Sequence, residues 1–243
     1  MEKSTNVKDL LNEMLSVTYF GFDYKEKDTE KIKNICCEKA YLDMCRTLRF
    51  GEDKTKKYVW KSDVQKIVIE SINDLSKLAE KIDQDSFDIF HKKECKKMIK
   101  VQQDGVFSDD NSFTVGQAQK WINMTYKYLL LLGYWNDKTE VIKKLLHAPV
   151  DNYIIQSASI QSKSGKSNAI RYGLDVKKPE KEAWSKWKSY TKYLDYEKKL
   201  RERVYEEYED KYTLIEWECL AWNEQAKKEE EKEYRKKLKK GNM

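Results

Sequence analysis

The chain has 243 residues, which suits one large domain or two small ones and is enough to bury a core. With 8 Gly and 2 Pro, long stretches lack helix breakers, and 7 Trp, 16 Tyr and 7 Phe argue against disorder although 37% of the residues are charged. The net charge of +6 permits nucleic-acid binding but does not establish it, because an AT-rich genome also enriches a chain in lysine.

Cysteine usage and the absence of targeting signals indicate a soluble protein of the cytoplasm, associated with the nucleoid in a prokaryote. The five cysteines form no CxxC pair, which favours reduced, buried thiols. The N-terminus lacks the apolar segment of a signal peptide, and the longest apolar stretch, Tyr128 to Leu132, is too short to span a bilayer. With only two histidines, we expect no metal site and no other cofactor.

In the N-terminal half, helical spacing of apolar residues predicts four helices, over residues 6–17, 29–48, 62–81 and 86–101. The aromatic segment Tyr19 to Tyr24 is predicted to form the turn after the first helix. Gly51 is predicted to close the second helix, and Ser62 to cap the third.

In the C-terminal half, a polar loop over residues 103–114 precedes a strongly apolar helix predicted over 116–132. A short helix over 139–146 follows, and Asp151 is predicted to cap another helix. Residues 157–168, rich in Ser, Lys and Gln, are predicted to form a loop. A long amphipathic helix is predicted from Trp184 to Tyr208, with a further helix over 214–222. Residues 227–243 are predicted to be a charged, frayed tail of one all-α domain spanning 1–243.

Two segments contain residue types that suit phosphate binding or catalysis. The first runs Phe113-Thr-Val-Gly116-Gln-Ala118-Gln-Lys120-Trp-Ile-Asn123, and the second is His147-Ala-Pro149-Val-Asp151. Gly116 stands where a loop becomes a helix, so the backbone there can approach a partner closely and its N–H groups can bind a phosphate. Lys120 is expected in the first helical turn, where the helix dipole disfavours a protonated amine.

Together these segments, from Phe113 to Gln156, resemble the helix-hairpin-helix family of DNA glycosylases. That family has a G-hydrophobic-G-x-K hairpin and, after it, a V/P-V-D segment with a catalytic aspartate. Gly116 matches the first hairpin glycine, Lys120 the Schiff-base lysine of bifunctional members, and Asp151 the aspartate. The chain departs from the pattern at Ala118, which replaces the second glycine, and in the long spacing between Lys120 and Asp151.

The resemblance implies a helix-hairpin-helix-like element, and a cleft between N- and C-terminal helices that receives a nucleotide flipped out of double-stranded DNA. Lys120 would attack the sugar C1′, and Asp151 would stabilise the positive charge that develops there. The target would be a damaged or modified base, such as a modified cytosine of phage DNA in antiviral defence, and the enzyme would act as a monomer. The implied base-pocket residues are Asn123, Met124 and Trp222, and the implied DNA-backbone contacts are Gly116, Gln117, Ala118, Lys127, Lys163 and Lys166.

Simpler interpretations stand beside this one. Lys120 could be an exposed helix lysine, Asp151 a helix cap, His147 a structural residue and the tryptophans core anchors. The main alternative function is a non-enzymatic helical module that binds nucleic acid or a partner. A helical nuclease would need a cluster of histidines or carboxylates, and no such cluster is evident in the sequence.

Overall fold

In the computed structural model, the described residues are 7–23, 25–101, 103–108, 111–160 and 171–241, with side chains as far as 238. They form an all-α fold, as the sequence predicts, and within these ranges no β-strand is present; a single isolated bridge joins Phe50 and Phe107. The helices are α1 Val7–Phe20, α2 Thr29–Cys45, α3 Lys54–Leu78, α4 Gln84–Lys100, α5 Val115–Leu131, α6 Thr139–Leu145, α7 Asn152–Ala158, α8 Tyr190–Tyr208 and α9 Leu214–Gly241.

Side-chain caps decide where several helices begin. The carboxylate of Asp53 accepts the N–H of Lys56, so α3 starts well before Ser62, and the predicted Ser62 cap is wrong. Helix α2 ends at Cys45, not near Gly51 as predicted. The Asp151 cap is confirmed, because its carboxylate accepts the N–H of Ile154 at 3.0 Å.

The C-terminal region differs from the predicted pattern. Trp184 lies in a short 3₁₀ turn that ends before Trp187, and α8 begins only at Tyr190, so the two tryptophans do not belong to the long amphipathic helix. The last helix, α9, continues to Gly241 instead of ending near Trp222. Its charged end is therefore helical in the part described, and the fraying of this end stays a prediction. The alternation of Lys and Glu there places opposite charges three or four residues apart, which supports a solvated helix.

Helix α5 is the centre of the molecule. Every side chain from Val115 to Leu129 is buried, and the helix contacts α2, α3, α4 and α8. Trp121 anchors it to α2 by donating its indole N–H to the carbonyl of Cys37 at 3.0 Å. Because a buried polar group must find a partner inside the protein, the polar side chains of α5 decide which neighbours come together. No helix in the described part is both long and apolar enough to cross a membrane.

Residues 101–114 connect α4 to α5. Their backbone contacts the segment after α2: Gly51 N–H donates to Val106 O and Ser108 N–H donates to Arg49 O, each at 2.9 Å. The likeness of this region to a helix-hairpin-helix element stays a prediction.

Candidate functional site

A capping box begins the helix that carries Lys120. Gln117 N–H donates to the Thr114 hydroxyl at 3.2 Å, and Thr114 N–H donates to the Gln117 side-chain oxygen at 3.0 Å. This reciprocal pair satisfies N–H groups that have no partner within the helix. Because α5 starts at Val115, Lys120 is its sixth residue and lies in the second turn, not in the first as predicted.

The start of α5 is covered by protein. Gly116 N–H donates to Trp187 O at 3.0 Å, and a Cβ at this position would lie 1.8 Å from Trp184 O. Gln117 N–H is used in the capping box, and Ala118 N–H donates to the N-cap carbonyl at 2.9 Å. These three N–H groups are not free for a phosphate, contrary to the prediction. Gly116 is instead required because the 184–187 segment packs directly against the helix backbone.

Lys120 and Asp151 meet. The Lys120 Nζ lies 2.8 Å from Asp151 Oδ2 and also donates to Pro149 O at 3.3 Å. The lysine side chain is 4% exposed and the aspartate side chain 17%, so the amine is inside the protein while the carboxylate reaches the surface. Lys120 is therefore not the exposed helix lysine of the simpler interpretation.

The electrostatics of Asp151 reflect this pairing. Burial by itself would raise the pKa of the carboxyl group. The positive charge and hydrogen bond of Lys120, together with the N–H of Ile154, outweigh burial and lower the pKa below its ordinary value. Asp151 is thus held as a carboxylate at neutral pH, beside an amine.

Gln119 and Asn123 fix the segment that leads to Asp151. The Gln119 carboxamide donates to Val150 O at 2.8 Å and accepts from Val150 N–H at 3.2 Å. Asn123, one turn further along α5, donates to Ala148 O at 3.2 Å. Asn123 was predicted to line a base pocket, but its amide is 1% exposed and its hydrogen bonds are all inside the protein. It is a residue that positions the segment carrying Asp151.

Behind this segment lies a buried chain of hydrogen bonds from α4 to α8. Burial lowers the pKa of both His91 and His147, so both imidazoles are neutral. Burial works against ionisation of Asp88, but hydrogen bonds from His147 and Gln84 and the charge of Arg201 lower its pKa below the ordinary value. His147 Nε2 therefore donates to Asp88 Oδ1 at 2.8 Å, and its Nδ1 accepts from the Tyr193 hydroxyl at 3.1 Å. His147 is structural, as the simpler interpretation proposes.

A second ion pair lies two turns further along α5, on the same side of the helix as the first. Lys127 Nζ is 2.6 Å from Glu218 Oε2, and both side chains are buried. Burial disfavours the charged amine, but Glu218 raises the pKa of Lys127 above its ordinary value. Since its amine is paired and enclosed, Lys127 is not placed to contact a DNA phosphate directly. The electric field of Lys127 does reach Asp151.

An aromatic pair lies beside the Lys127–Glu218 ion pair on the α9 side. Trp222 is partly exposed, and its ring lies 5.6 Å from the ring of Tyr153 and under the amine of Lys127 at 5.8 Å. Met124, one turn after Lys120, is 7% exposed. Of the predicted pocket residues, Trp222 is the one with an accessible ring. Lys163 and Lys166 lie outside the described residues.

A third carboxylate completes the cluster and was missed in the sequence. Asp43, near the end of α2, accepts a hydrogen bond from the Tyr128 hydroxyl, which itself lies 2.6 Å from the hydroxyl of Tyr19. The charges of Lys120 and Lys127 act on Asp43. The signal in the sequence that could have revealed the cluster is the presence of two lysines, three amides and two tyrosines in an otherwise apolar helix, which implies buried partners but does not identify them.

No group of three or more His, Cys, Asp or Glu side chains in the described ranges is arranged to hold a metal ion. A cavity of about 430 Å³ lies elsewhere, at the start of α4 and along α8, and neither Lys120 nor Asp151 lines it. Its walls carry charges of both signs, from Asp83, Asp85, Lys198, Arg201 and Glu202.

Comparison of the chain with protein-family models, with curated proteins and with solved structures found no match.

Proposed function

We propose that the protein is a DNA glycosylase that removes a damaged or modified base, with Lys120 as the nucleophile and Asp151 as the stabilising carboxylate. The observation that carries the proposal is the 2.8 Å contact between Lys120 Nζ, in the second turn of α5, and Asp151 Oδ2, at the start of α7. An amine and a carboxylate thus lie together beside a partly open surface.

Cleavage of a glycosidic bond places positive charge on the sugar. As the bond between C1′ and the base nitrogen breaks, its electron pair leaves with the base, and C1′ acquires oxocarbenium character. A fixed carboxylate stabilises that charge, and a neutral amine can form the new bond to C1′. Asp151 and Lys120 supply these two groups once the proton that they share has passed to the departing base.

The amine must lose a proton before it can attack. In the described arrangement the ammonium of Lys120 is hydrogen-bonded to Asp151, so a proton can pass between them along an existing contact. When a bound nucleotide excludes water, the charged form of the pair becomes more costly than the neutral form. The proton then moves to Asp151 and frees the lone pair of Lys120; as the bond to the base breaks, Asp151 passes this proton to the departing base and is a carboxylate again when positive charge develops at C1′.

Two further features support a flipped nucleotide at this place. The ring of Trp222 lies beside Lys127 and packs against the ring of Tyr153, two residues after Asp151, and these rings offer faces on which a base can stack. Met124 is an apolar side chain next to Lys120, suited to the floor of a base pocket. The proposed partner is double-stranded DNA, and the proposed role is repair or defence against phage DNA with a modified cytosine. The net charge of +6 is compatible with a DNA partner.

The test is borohydride trapping on duplexes that contain oxidised, alkylated, hydroxymethylated or glucosylated bases, or an abasic site. The wild-type protein is expected to form a covalent adduct, and Lys120→Gln to form none. Lys127→Gln is the matched control, because Lys127 is a buried, ion-paired lysine on the same helix. It should keep the adduct if it remains folded.

A parallel assay of base release separates an attack by lysine from an attack by water. If base is released without a trapped adduct, Asp151 acts by activating water and Lys120 by positioning it. If the protein binds duplex DNA but gives neither base release nor adduct on any substrate, the non-enzymatic binding module replaces the glycosylase.

A further inference from the structure

Five lysines lie on one face of α4, and we call them the α4 lysine row: Lys92, Lys93, Lys96, Lys97 and Lys100. Three pairs among them are four residues apart, so their side chains project from the same side of the helix. Lys93, Lys96 and Lys100 are exposed, and the other two are partly exposed. The row is therefore a continuous basic surface.

The opposite face of α4 fixes the direction of this surface. It packs against α3 and α5 through buried residues, among them Phe87, His91, Cys95 and Met98. His91 also exchanges a hydrogen bond with the side chain of Asn123 on α5, at 2.9 Å. Since the helix is anchored in the core on that side, the lysine row is held toward solvent.

The positive charges of the lysine row are poorly compensated by the protein. Lys97 pairs with Glu94 at 2.9 Å. The other four lysines make no ion pair with any residue in the described part of the chain. The charged end of α9 differs, because several of its lysines pair with a glutamate three or four residues away. A high lysine content by itself therefore does not account for the unpaired charges on α4.

Such a row is unfavourable for the protein alone. Like charges four residues apart on a helix repel one another, and this repulsion destabilises the helix. The helix dipole favours cations in the last turn, which contains Lys97 and Lys100, but it does not reach the lysines earlier in the helix. A ligand with several negative charges along its length would remove the repulsion.

The shape of the row favours a nucleic acid over a membrane. From Lys92 to Lys100 the row extends along the helix for about 12 Å. Double-stranded DNA carries one negative charge per about 1.7 Å of its axis, so several phosphates can lie beside the row. A helix that lies on a membrane turns an apolar face to the lipid. Apart from Ile89, the large apolar side chains of α4 are buried or partly buried against the core.

We propose that the α4 lysine row is a nucleic-acid interface that binds the phosphate backbone of duplex DNA. Contacts from lysine to phosphate provide affinity and position the protein, but they carry no information about base sequence. The inference goes beyond the proposed function and does not require it, since the row would serve a glycosylase and a non-enzymatic binding module equally. It also assigns phosphate contacts to side chains that reach solvent, unlike the buried Lys127.

The experiment measures binding of a short undamaged duplex by fluorescence anisotropy at a series of salt concentrations. No chemistry is needed, because the duplex carries only normal bases. The test variant combines Lys93→Gln, Lys96→Gln and Lys100→Gln, three exposed residues of the row. Thermal unfolding checks that the variant is folded.

The matched control removes the same number of charges from other surfaces. It combines Lys27→Gln, Lys77→Gln and Lys199→Gln. These lysines lie before α2, on α3 and on α8, and each is exposed and makes no ion pair within the described ranges. The control therefore separates the lysine row from a general effect of net charge.

Wild-type protein is expected to bind the duplex with an affinity that falls as salt rises, with a log–log slope of about −3 to −4. In the test variant the slope should become shallower by about 2 to 3, since each lost phosphate contact removes about 0.9. Its affinity at low salt should be at least about tenfold weaker, and the affinity of the control should stay within about threefold of wild type.

Equal losses in the test variant and the control, an unchanged slope in the folded test variant, or no binding by the wild type overturns the inference. Tighter, row-dependent binding to phosphatidylserine vesicles or to polyglutamate than to the duplex also overturns it, because the partner is then not a nucleic acid. If the triple variant does not fold, Lys96→Gln alone replaces it, with an expected change in slope of about 0.9.

The outcomes are independent of those for the proposed function. A trapped adduct together with unchanged duplex affinity in the test variant refutes the lysine row and keeps the glycosylase. Row-dependent binding without adduct or base release on any substrate keeps the lysine row and refutes the glycosylase.

Discussion

The side chain of Gln119 exchanges two hydrogen bonds with the backbone of Val150, at 2.8 and 3.2 Å. The next residue after each of them belongs to the ion pair, Lys120 after Gln119 and Asp151 after Val150. The amide thus sets the register between the start of α5 and the extended segment before α7. Segments 31 positions apart in sequence are aligned by one buried side chain.

Replacing Gln119 by Leu should therefore disturb both stability and the site. The Val150 N–H and C=O would lose their partners in the core, which costs about 1–3 kcal/mol per unsatisfied group. Denaturant unfolding should show this loss, and trapping by Lys120 should fall with it. Gln117→Leu is the control, because Gln117 is a buried glutamine of the same helix that contacts Thr114 and Thr47 instead. It should lower stability yet leave trapping intact; equal loss of trapping in both variants would contradict the alignment role.

The Lys120–Asp151 pair should show strong coupling in a double-mutant cycle. Lys120→Met leaves Asp151 without its cation, and breaking a buried pair costs about 3–5 kcal/mol at full burial, somewhat less here because Asp151 is partly exposed. Asp151→Asn keeps the helix cap, so its cost reports the lost charge. The double variant should be more stable than the sum of single effects predicts.

The exposed pair Lys66–Asp63 provides the comparison for that cycle. Its side chains are 69% and 46% exposed, and its coupling free energy should be at most about 0.5 kcal/mol. Similar coupling free energies in the two pairs would show that burial of Lys120 does not strengthen its interaction with Asp151.

Gly116→Ala should be severely destabilising. Its Cβ would lie 1.8 Å from Trp184 O, so the 184–187 segment would have to move off the helix, at a cost of at least about 3 kcal/mol. Gly21→Ala is the control, because a Cβ there meets open space. The expected loss of stability, about 1–2 kcal/mol, comes from the φ of +79° at this position. Thermal unfolding of the two variants gives the comparison, and a milder effect at position 116 than at 21 would refute the close packing.

Glu197 should make stability depend on pH. Burial raises the pKa of its carboxyl group to about 8, although Arg201 and the N–H of Ala148 act against this. The folded protein therefore binds a proton that the unfolded chain has released once pH exceeds about 4.5, the ordinary value. The stabilisation of the folded state by this proton is fully present below pH 4.5 and is lost as pH rises through about 8.

The measurement compares wild type with Glu197→Gln from pH 5 to pH 8, because Gln keeps an acceptor for Ala148 but does not titrate. The advantage of the Gln variant in unfolding free energy should grow with pH. His91 and His147 have lowered pKa values and act in the opposite direction below pH 6.5, but both proteins contain them, so the difference isolates Glu197. A difference that is constant with pH would show that Glu197 is ionised in the folded state.

Local patterns in the sequence were sufficient for much of the secondary structure. Apolar spacing placed α5 within one residue of its bounds, and the Asp151 cap followed from one residue type in front of a helix. The start of α3 was misplaced because Asp53, an equally good cap, precedes a polar first turn that apolar spacing cannot detect. The tryptophans 184 and 187 were assigned to a helix since their spacing is helical, but they pack on Gly116 as part of a loop.

The all-α fold and the choice of Lys120 and Asp151 follow from the order of residues, because helix propensity, caps and a short motif are local properties. Packing of the folded chain was needed to show that the two side chains touch, that the N–H groups after Thr114 are occupied by protein, and that Asp43 and Glu218 lie in the same region. These outcomes depend on which buried polar groups satisfy one another across helices. Such pairing depends on which residues pack against one another, so residue spacing along the chain does not predict it.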